Sequence, residues 1–210
     1  VEVIINTTPV GMYPKNDENI IDITKFNKLT GVIDVVYNPL RTNLVLDANN
    51  LNIPSEGGLY MLTCQAVYAC GLFLDKEIDL SIIDTIFNKL KEEKENIILI
   101  GMPSSGKTTI GKILSEKLNK KLIDTDDLIV NKIGMSIKDY MNSHSEKEFR
   151  DIETECVKEA AKMSNVVIAT GGGAILRSEN VKALKQNGKL YFLKRDLELL
   201  TPTDSRPFSS

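Results

Sequence analysis

NIILIGMPSSGKTTIGKILSEKL, residues Asn96 to Leu118, holds a strand, a glycine loop and a helix in immediate succession. Ile97 to Ile100 is a short apolar run, mostly β-branched, which is the composition of a buried parallel strand. Gly101 to Thr108 fits G-x-x-x-x-G-K-[ST]. Thr109 to Leu118 places Ile110, Ile113, Leu114 and Leu118 on one helical face, the pattern of an amphipathic helix. That context marks a phosphate-binding loop. Gly101 and Gly106 let the backbone curl so that its N–H groups point inward. The helix N-terminus adds its partial positive charge. Lys107 can reach the β- and γ-phosphates, and the Thr108 hydroxyl can ligate Mg²⁺. Ser104, Ser105 and Thr109 complete the expected ATP-binding stretch. These residues imply a nucleoside triphosphate with Mg²⁺ and leave the reaction open.

Outward from this stretch, the bulk properties are those of a globular chain. Its 210 residues are 42% hydrophobic and 26% charged, enough for one large or two small domains. A net charge of −3 gives no electrostatic case for nucleic acid or an anionic membrane. No apolar run approaches ~18 residues, so no membrane partner is expected. The chain opens directly on VEVIIN, without Met, basic n-region or cleavage site, and reads as a piece of something longer. Cys64, Cys70 and Cys156 lack metal-ligand spacing, and an odd count argues against a disulfide framework. Buried free thiols in a reducing cytoplasm are expected.

Upstream, residues 1–95 alternate strand and helix. Val1 to Ile5 and Val32 to Val36 read as strands. Helices are expected at about Leu44 to Asn49, Leu59 to Leu74 and Leu80 to Glu93. In the second, Met61, Leu62, Gln65, Tyr68 and Leu72 share helical spacing. The charged run Lys89 to Glu95 reads as a solvated helix end and linker. The alternation implies a parallel α/β sheet, whose ligands sit at the carboxyl ends of the strands. The loops after Ile5 and Val36 lie at that end.

Three motifs here stand in a recognisable order. They are N-x-T-P-x-G-M at Asn6 to Met12, D-V-V-Y-N-P-x-x-T-x-L at Asp34 to Leu44, and G-x-x-M-L-x-x-Q at Gly58 to Gln65. Together they resemble the C-terminal half of shikimate dehydrogenase. The resemblance implies a Rossmann-like domain in which Asn6, Thr7, Thr8, Val35, Gly58 and Met61 lie against NADP. It places Tyr37 and Gln65 against shikimate. The catalytic Lys and Asp and the glycine-rich NADP loop of that family have no counterpart in this chain, so NADP is implied only for an intact dehydrogenase.

Downstream of the phosphate loop, Lys121 to Ile123 reads as a strand ending in Asp124-Thr125-Asp126-Asp127. Carboxylates there can hold Mg²⁺ and accept from a substrate hydroxyl, and can equally cap the helix expected from Leu128. Ser136 to Asn142 and Glu146 to Met163 read as helices. In the second, Glu153 lies at i+3 from Arg150 and can orient its guanidinium toward a carboxylate. A surface ion pair is the plainer reading of that spacing. His144 reads as a loop residue. Asn165 to Thr170 is a buried strand followed at once by Gly171-Gly172-Gly173, which lets a ligand approach closely. Leu190 to Leu193 is a further strand. Asp204-Ser205-Arg206-Pro207 reads as a lid, with Arg206 as the charge delivered to phosphates.

The order G-x-x-x-x-G-K-T, D-T-D, E-F-R-x-I-E, G-G-G, R-P resembles shikimate kinase across Ile97 to Pro207. The resemblance implies a P-loop NTPase-like fold of the nucleoside-monophosphate-kinase type, a parallel sheet flanked by helices. It implies that Asp124 helps Thr108 hold Mg²⁺, and that Asp126, Arg150 and Gly171 to Gly173 bind shikimate. Lys107, Asp126 and Arg206 would carry catalysis, with Arg206 also on ATP. Two departures stand out: Leu199-Leu200-Thr201-Pro202 occupies the place of an adenine-side arginine, and a second shikimate-binding arginine would lie past Ser210. The expected organisation is residues 1–95 as part of a dehydrogenase domain and 96–210 as a kinase domain. Alternatives are a phosphate-loop kinase of another hydroxy compound, such as gluconate, or a nucleotide-binding module without turnover.

Overall fold

The computed structural model describes residues 1–195. The chain divides into two compact units, Val1–Lys94 and Glu95–Ser210, and Arg206 and the rest of the expected lid lie outside the described residues.

In the first unit, β1 (Val3–Asn6), β2 (Gly31–Asp34) and the two-residue β3 (Ser55–Glu56) form a parallel sheet in that order, with Ile5 opposite Ile33. Helix α1 (Asn43–Asn50) packs on it through Leu44 and Ala48, which join Ile23, Leu29 and Val32 in the core. Thr42 caps α1 by accepting from the Val45 amide. Helices α2 (Gly58–Leu74) and α3 (Ile82–Lys94) meet through an edge-to-face pair, Tyr60 and Phe87, at 5.2 Å. A side chain at Gly58 would overlap the Val35 carbonyl, so glycine is required there for α2 to approach β2.

The second unit has β4 (Asn96–Ile100), α4 (Lys107–Leu118), β5 (Lys121–Asp124), α5 (Thr125–Ile133), α6 (Ile137–Ser143), α7 (Glu146–Ala161), β6 (Val166–Ala169), α8 (Ser178–Asn187) and β7 (Gly188–Phe192). Its sheet is wholly parallel, in the order β5-β6-β4-β7. Ile98, Val167 and Ile168 are completely buried at its centre, Ile98 and Ile168 under Val157, Ala160 and Leu184 of α7 and α8. The chain steps from β4 over β6 to β5, and returns past β4 to β7. The loops after β4, β5 and β6 therefore gather at one end of the sheet, beside the switch in strand order. This α/β architecture is the expected class.

Four expectations need correction. The α4 stripe does not face the core: Ile110, Ile113 and Leu118 are exposed, while Lys107 and Gly111 are buried. Gly111 sits there because a side chain would meet Leu122 at 2.8 Å, so α4 touches β5 by its smallest residue. Helix α2 likewise buries Leu59, Thr63 and Val67 and leaves Met61, Tyr68 and Leu72 exposed. Helix α5 begins at Thr125, not Leu128, because Asp124 rather than a later aspartate is the cap. Finally, of the three free cysteines only Cys156 is buried; Cys64 is half-buried and Cys70 exposed. Helix α8 escaped the sequence reading altogether. Its inward face is largely polar, with Asn180, Gln186 and Asn187 buried beside Ala183 and Leu184, so it lacks apolar periodicity. No helix among the described residues is long and apolar enough to cross a membrane.

Candidate active site

The phosphate loop links β4 to α4 in a tight, partly left-handed course, with φ of 151° at Gly101, 61° at Ser104 and 93° at Gly106. A side chain at Gly101 would meet the Leu193 carbonyl at 2.7 Å. Lys107 is only 4% exposed. Its ammonium donates to the carbonyls of Gly101 (2.8 Å) and Met102 (2.7 Å), which aims it back across the mouth of the loop. Arg195, just past β7, donates to the Ser104 carbonyl at 3.1 Å, a second cation on the loop that the sequence reading missed.

Asp124 ends β5 and serves two groups. One carboxylate oxygen accepts from the Asp126 amide at 3.0 Å and so caps α5. The other accepts from the Thr108 hydroxyl at 2.8 Å, which ties the carboxylate to the phosphate loop. The expected cap is therefore present, and the two residues expected to hold Mg²⁺ lie side by side. The pair is an all-oxygen donor set, the chemistry Mg²⁺ prefers. Among the described residues no three His, Cys, Asp or Glu side chains could cage a metal. Mg²⁺ would then complete its shell with water and phosphate oxygens, its usual habit.

Helix α7 presents Arg150 and Glu153 on one face. Ser145 and Glu148 form a reciprocal capping box at its start, an S-x-x-E signal legible in the sequence and passed over. The Arg150 guanidinium meets the Glu153 carboxylate at 2.8 Å, with the two side chains 16% and 3% exposed. This is a buried, oriented pair, not a surface one. Burial raises the Glu153 pKa, opposed by its hydrogen bond and charge pairing with Arg150 and reinforced by the nearby Asp126.

Each glycine of the loop after β6 faces a different part of this constellation. A side chain at Gly171 would lie 2.7 Å from Asp126 Oδ1 and 3.3 Å from Glu153 Oε1. One at Gly172 would meet the Pro103 ring at 2.7 Å, on the phosphate loop. One at Gly173 would overlap the Arg150 guanidinium. The Gly171 amide donates to the Thr125 hydroxyl at 2.9 Å, anchoring the loop to α5. Phosphate loop, Asp126 and Arg150 are thus gathered around the triple glycine. Pro103 was not singled out from the sequence. His144, at the end of α6, stacks on Tyr140 and bonds within its own turn.

The sequence model of the family described as shikimate kinase matches residues 103–208, just over half of the chain. The chain belongs to the shikimate kinase family. It is 47% identical over 117 residues to the shikimate kinase of Caldicellulosiruptor bescii, covering 54% of this chain and 68% of that one. A solved shikimate kinase from Acinetobacter baumannii in complex with shikimate aligns with a TM-score of 0.51 and 38% identity, over 53% of this chain and 63% of that one. The chain therefore spans about two thirds of these relatives. Over its N-terminal part it is also similar to a chorismate mutase/shikimate 5-dehydrogenase fusion protein from Clostridium acetobutylicum. That match has 40% identity and a TM-score of 0.41, covering 43% of this chain and 34% of that one.

The expected dehydrogenase residues fall in the first unit, and several are used within it. The Asn6 amide donates to Val10 O and Asp34 Oδ1, and its carbonyl accepts from the Thr8 amide and hydroxyl. The Asn6 side chain shapes the loop, with its amide nitrogen and oxygen each used twice. Val35 and Gly58 abut through backbone. Thr7, Tyr37, Met61 and Gln65 are exposed.

Proposed function

We propose that the second unit is the working part of a shikimate kinase, transferring the γ-phosphoryl of ATP to the 3-hydroxyl of shikimate. One observation carries the reading. The triple glycine lies against the phosphate loop at Pro103, against Asp126 and against Arg150 at once. Arg150 is a partner for a carboxylate and Asp126 one for a hydroxyl, so a small acid carrying both groups suits them. Arg150, steadied by Glu153, pairs the carboxylate bidentately. Asp126 accepts from the hydroxyl, orients it toward the phosphate loop and takes its proton. Lys107 and the loop backbone hold the β- and γ-phosphates, with Ser104, Ser105 and Thr109 in the same stretch. Thr108 and Asp124 hold Mg²⁺, which when bound neutralises charge on the phosphate oxygens. Arg206 is assigned to the γ-phosphate by its place in the sequence motif. Catalysis is positioning and charge neutralisation, as phosphoryl transfer requires.

For the first unit we infer descent from the cofactor domain of shikimate dehydrogenase, supported by the three ordered motifs at Asn6, Asp34 and Gly58. No NADP step is assigned to it, because NADP is implied for an intact dehydrogenase only. The shikimate reading proposed for each unit favours aromatic biosynthesis as the setting, and the free cysteines favour a reducing cytoplasm.

An assay coupled to ADP release, run over a panel of hydroxy acids with ATP and Mg²⁺, tests the kinase reading. Turnover is expected with shikimate and not with gluconate. Preference for gluconate, or nucleotide binding without turnover on any acid, rejects it.

A further inference from the structure

Arg177 follows the triple glycine by one 3₁₀ turn, Ala174–Leu176, and immediately precedes α8. Its own carbonyl accepts from the Asn180 and Val181 amides, which fixes its backbone to the first turn of α8. Its side chain reaches the other way, to α7. One guanidinium nitrogen donates to the Arg150 carbonyl and to the Thr154 hydroxyl, each at 3.1 Å. The other meets Asp151 at 2.8 Å. Glu179 lies 3.8 Å away on α8 itself.

These partners are not scattered. Arg150, Asp151 and Thr154 occupy the single turn of α7 that also carries Glu153. The carbonyl that Arg177 holds belongs to Arg150, whose guanidinium lies where a side chain on Gly173 would be. The residue just after the glycine loop therefore grips the backbone of the residue that the loop faces. A surface ion pair alone would need only Asp151. Holding Arg150 and Thr154 with one nitrogen and Asp151 with the other uses the fork of a guanidinium, which the single nitrogen of an ammonium cannot reproduce.

We propose that Arg177 is a positioning residue for substrate binding: it fixes the turn of α7 against the triple-glycine loop and so sets the guanidinium of Arg150. The inference rests on the reading of Arg150 as the carboxylate-binding group. Without Arg177 the loop and α7 remain packed through their apolar residues, but the spacing between Gly173 and Arg150 is no longer imposed. A misplacement of about 1 Å is enough to matter for a bidentate contact.

The test is calorimetry on the full chain with shikimate, its uncharged methyl ester, and ATP. The variants are Arg177→Met, Arg177→Lys, Arg150→Met and the Arg177→Met/Arg150→Met double. Arg177→Met is expected to weaken shikimate about tenfold while ester and ATP affinities hold, since only the carboxylate contact is misplaced. Arg177→Lys keeps the charge near Asp151 and guards against a folding artefact; it should fail to restore shikimate affinity. In the Arg150→Met background, Arg177→Met should cost nothing more. Additive losses, or equal losses for acid and ester, overturn the inference and leave the site reading standing. An Arg150→Met variant with unchanged shikimate affinity overturns both.

Discussion

Polar side chains crowd the carboxyl end of the sheet in both units, but they are spent differently. In the first unit Asp34, completely buried, accepts from the Asn6 amide, the Val36 amide and the Thr42 hydroxyl. That network closes on itself: it joins the ends of β1 and β2 to the cap of α1. In the second unit Asp124 also caps a helix, yet its other oxygen turns to the phosphate loop, and Asp126, Pro103 and Arg150 close in on three glycines where any side chain would collide with them. A self-satisfied network builds a rigid end of a sheet. A cluster drawn from three segments onto side-chain-free backbone brings a carboxylate, a guanidinium and the phosphate loop close together. Each unit has a strand-end aspartate bonded to a threonine; the triple glycine and Arg150 occur only in the second.

The largest effect should come from the phosphate loop. Lys107→Ala removes the buried cation at its mouth, and phosphoryl transfer should fall by about a thousandfold. A rate within a few-fold of the parent would show that the loop is ornamental, and the contrast between the units would collapse. Next comes Arg150→Ala. If its carboxylate contact is desolvated, shikimate binding should weaken by about 2–5 kcal/mol while ATP affinity changes little. Equal losses for both ligands would place Arg150 on the nucleotide instead.

The phosphate loop was legible because its parts are contiguous: a strand, eight patterned residues and a helix. Asp124, Asp126 and Arg150 were legible as candidates by residue type and place. What each glycine of the triple faces was not, because Pro103, Asp126 and Arg150 come from three separate segments that only the strand order β5-β6-β4 brings together. Helix α8 was hidden by its polar buried face. The apolar stripes of α2 and α4 misled for the opposite reason. Periodicity finds an amphipathic face but cannot say that Gly111 or Thr63, and not Ile113 or Met61, will be buried. Arg177 carries no local motif at all; its role depends on α7 lying beside it.

A smaller effect sharpens the other side of the comparison. Asp34→Asn replaces one acceptor oxygen by a donor, so the Thr42 hydroxyl, which donates to the carboxylate at 2.6 Å, must turn to accept and its own proton loses that partner. The first unit should lose about 1–3 kcal/mol of stability, the range for a buried group left poorly paired. Hydrogen exchange at Val36 and Val45 should quicken accordingly. ATP and shikimate affinities should not move. A drop in either would mean that the closed network also serves a ligand site.

The smallest expected effect is in pH dependence and concerns Glu153. Burial raises its pKa above the ordinary 4.5, even with Arg150 beside it. The sign follows directly. The folded state then holds the Glu153 proton to a higher pH than the unfolded state does. Below 4.5 both states are protonated and the group contributes no slope. As pH rises past 4.5 the unfolded chain releases its proton first, so stability falls until the folded carboxyl also ionises, and is level above that. This is the reverse of an ordinary salt-bridged carboxylate, whose pairing adds stability as pH rises. The slope cannot exceed about 1.4 kcal/mol per pH unit for a single proton. Comparing the parent with Glu153→Gln cancels the other titrating groups. Between pH 4.5 and 7, denaturation midpoints of the parent should decline relative to those of the variant. A relative rise would show that Arg150 outweighs burial, and that the pair adds to the stability of the site instead of drawing on it.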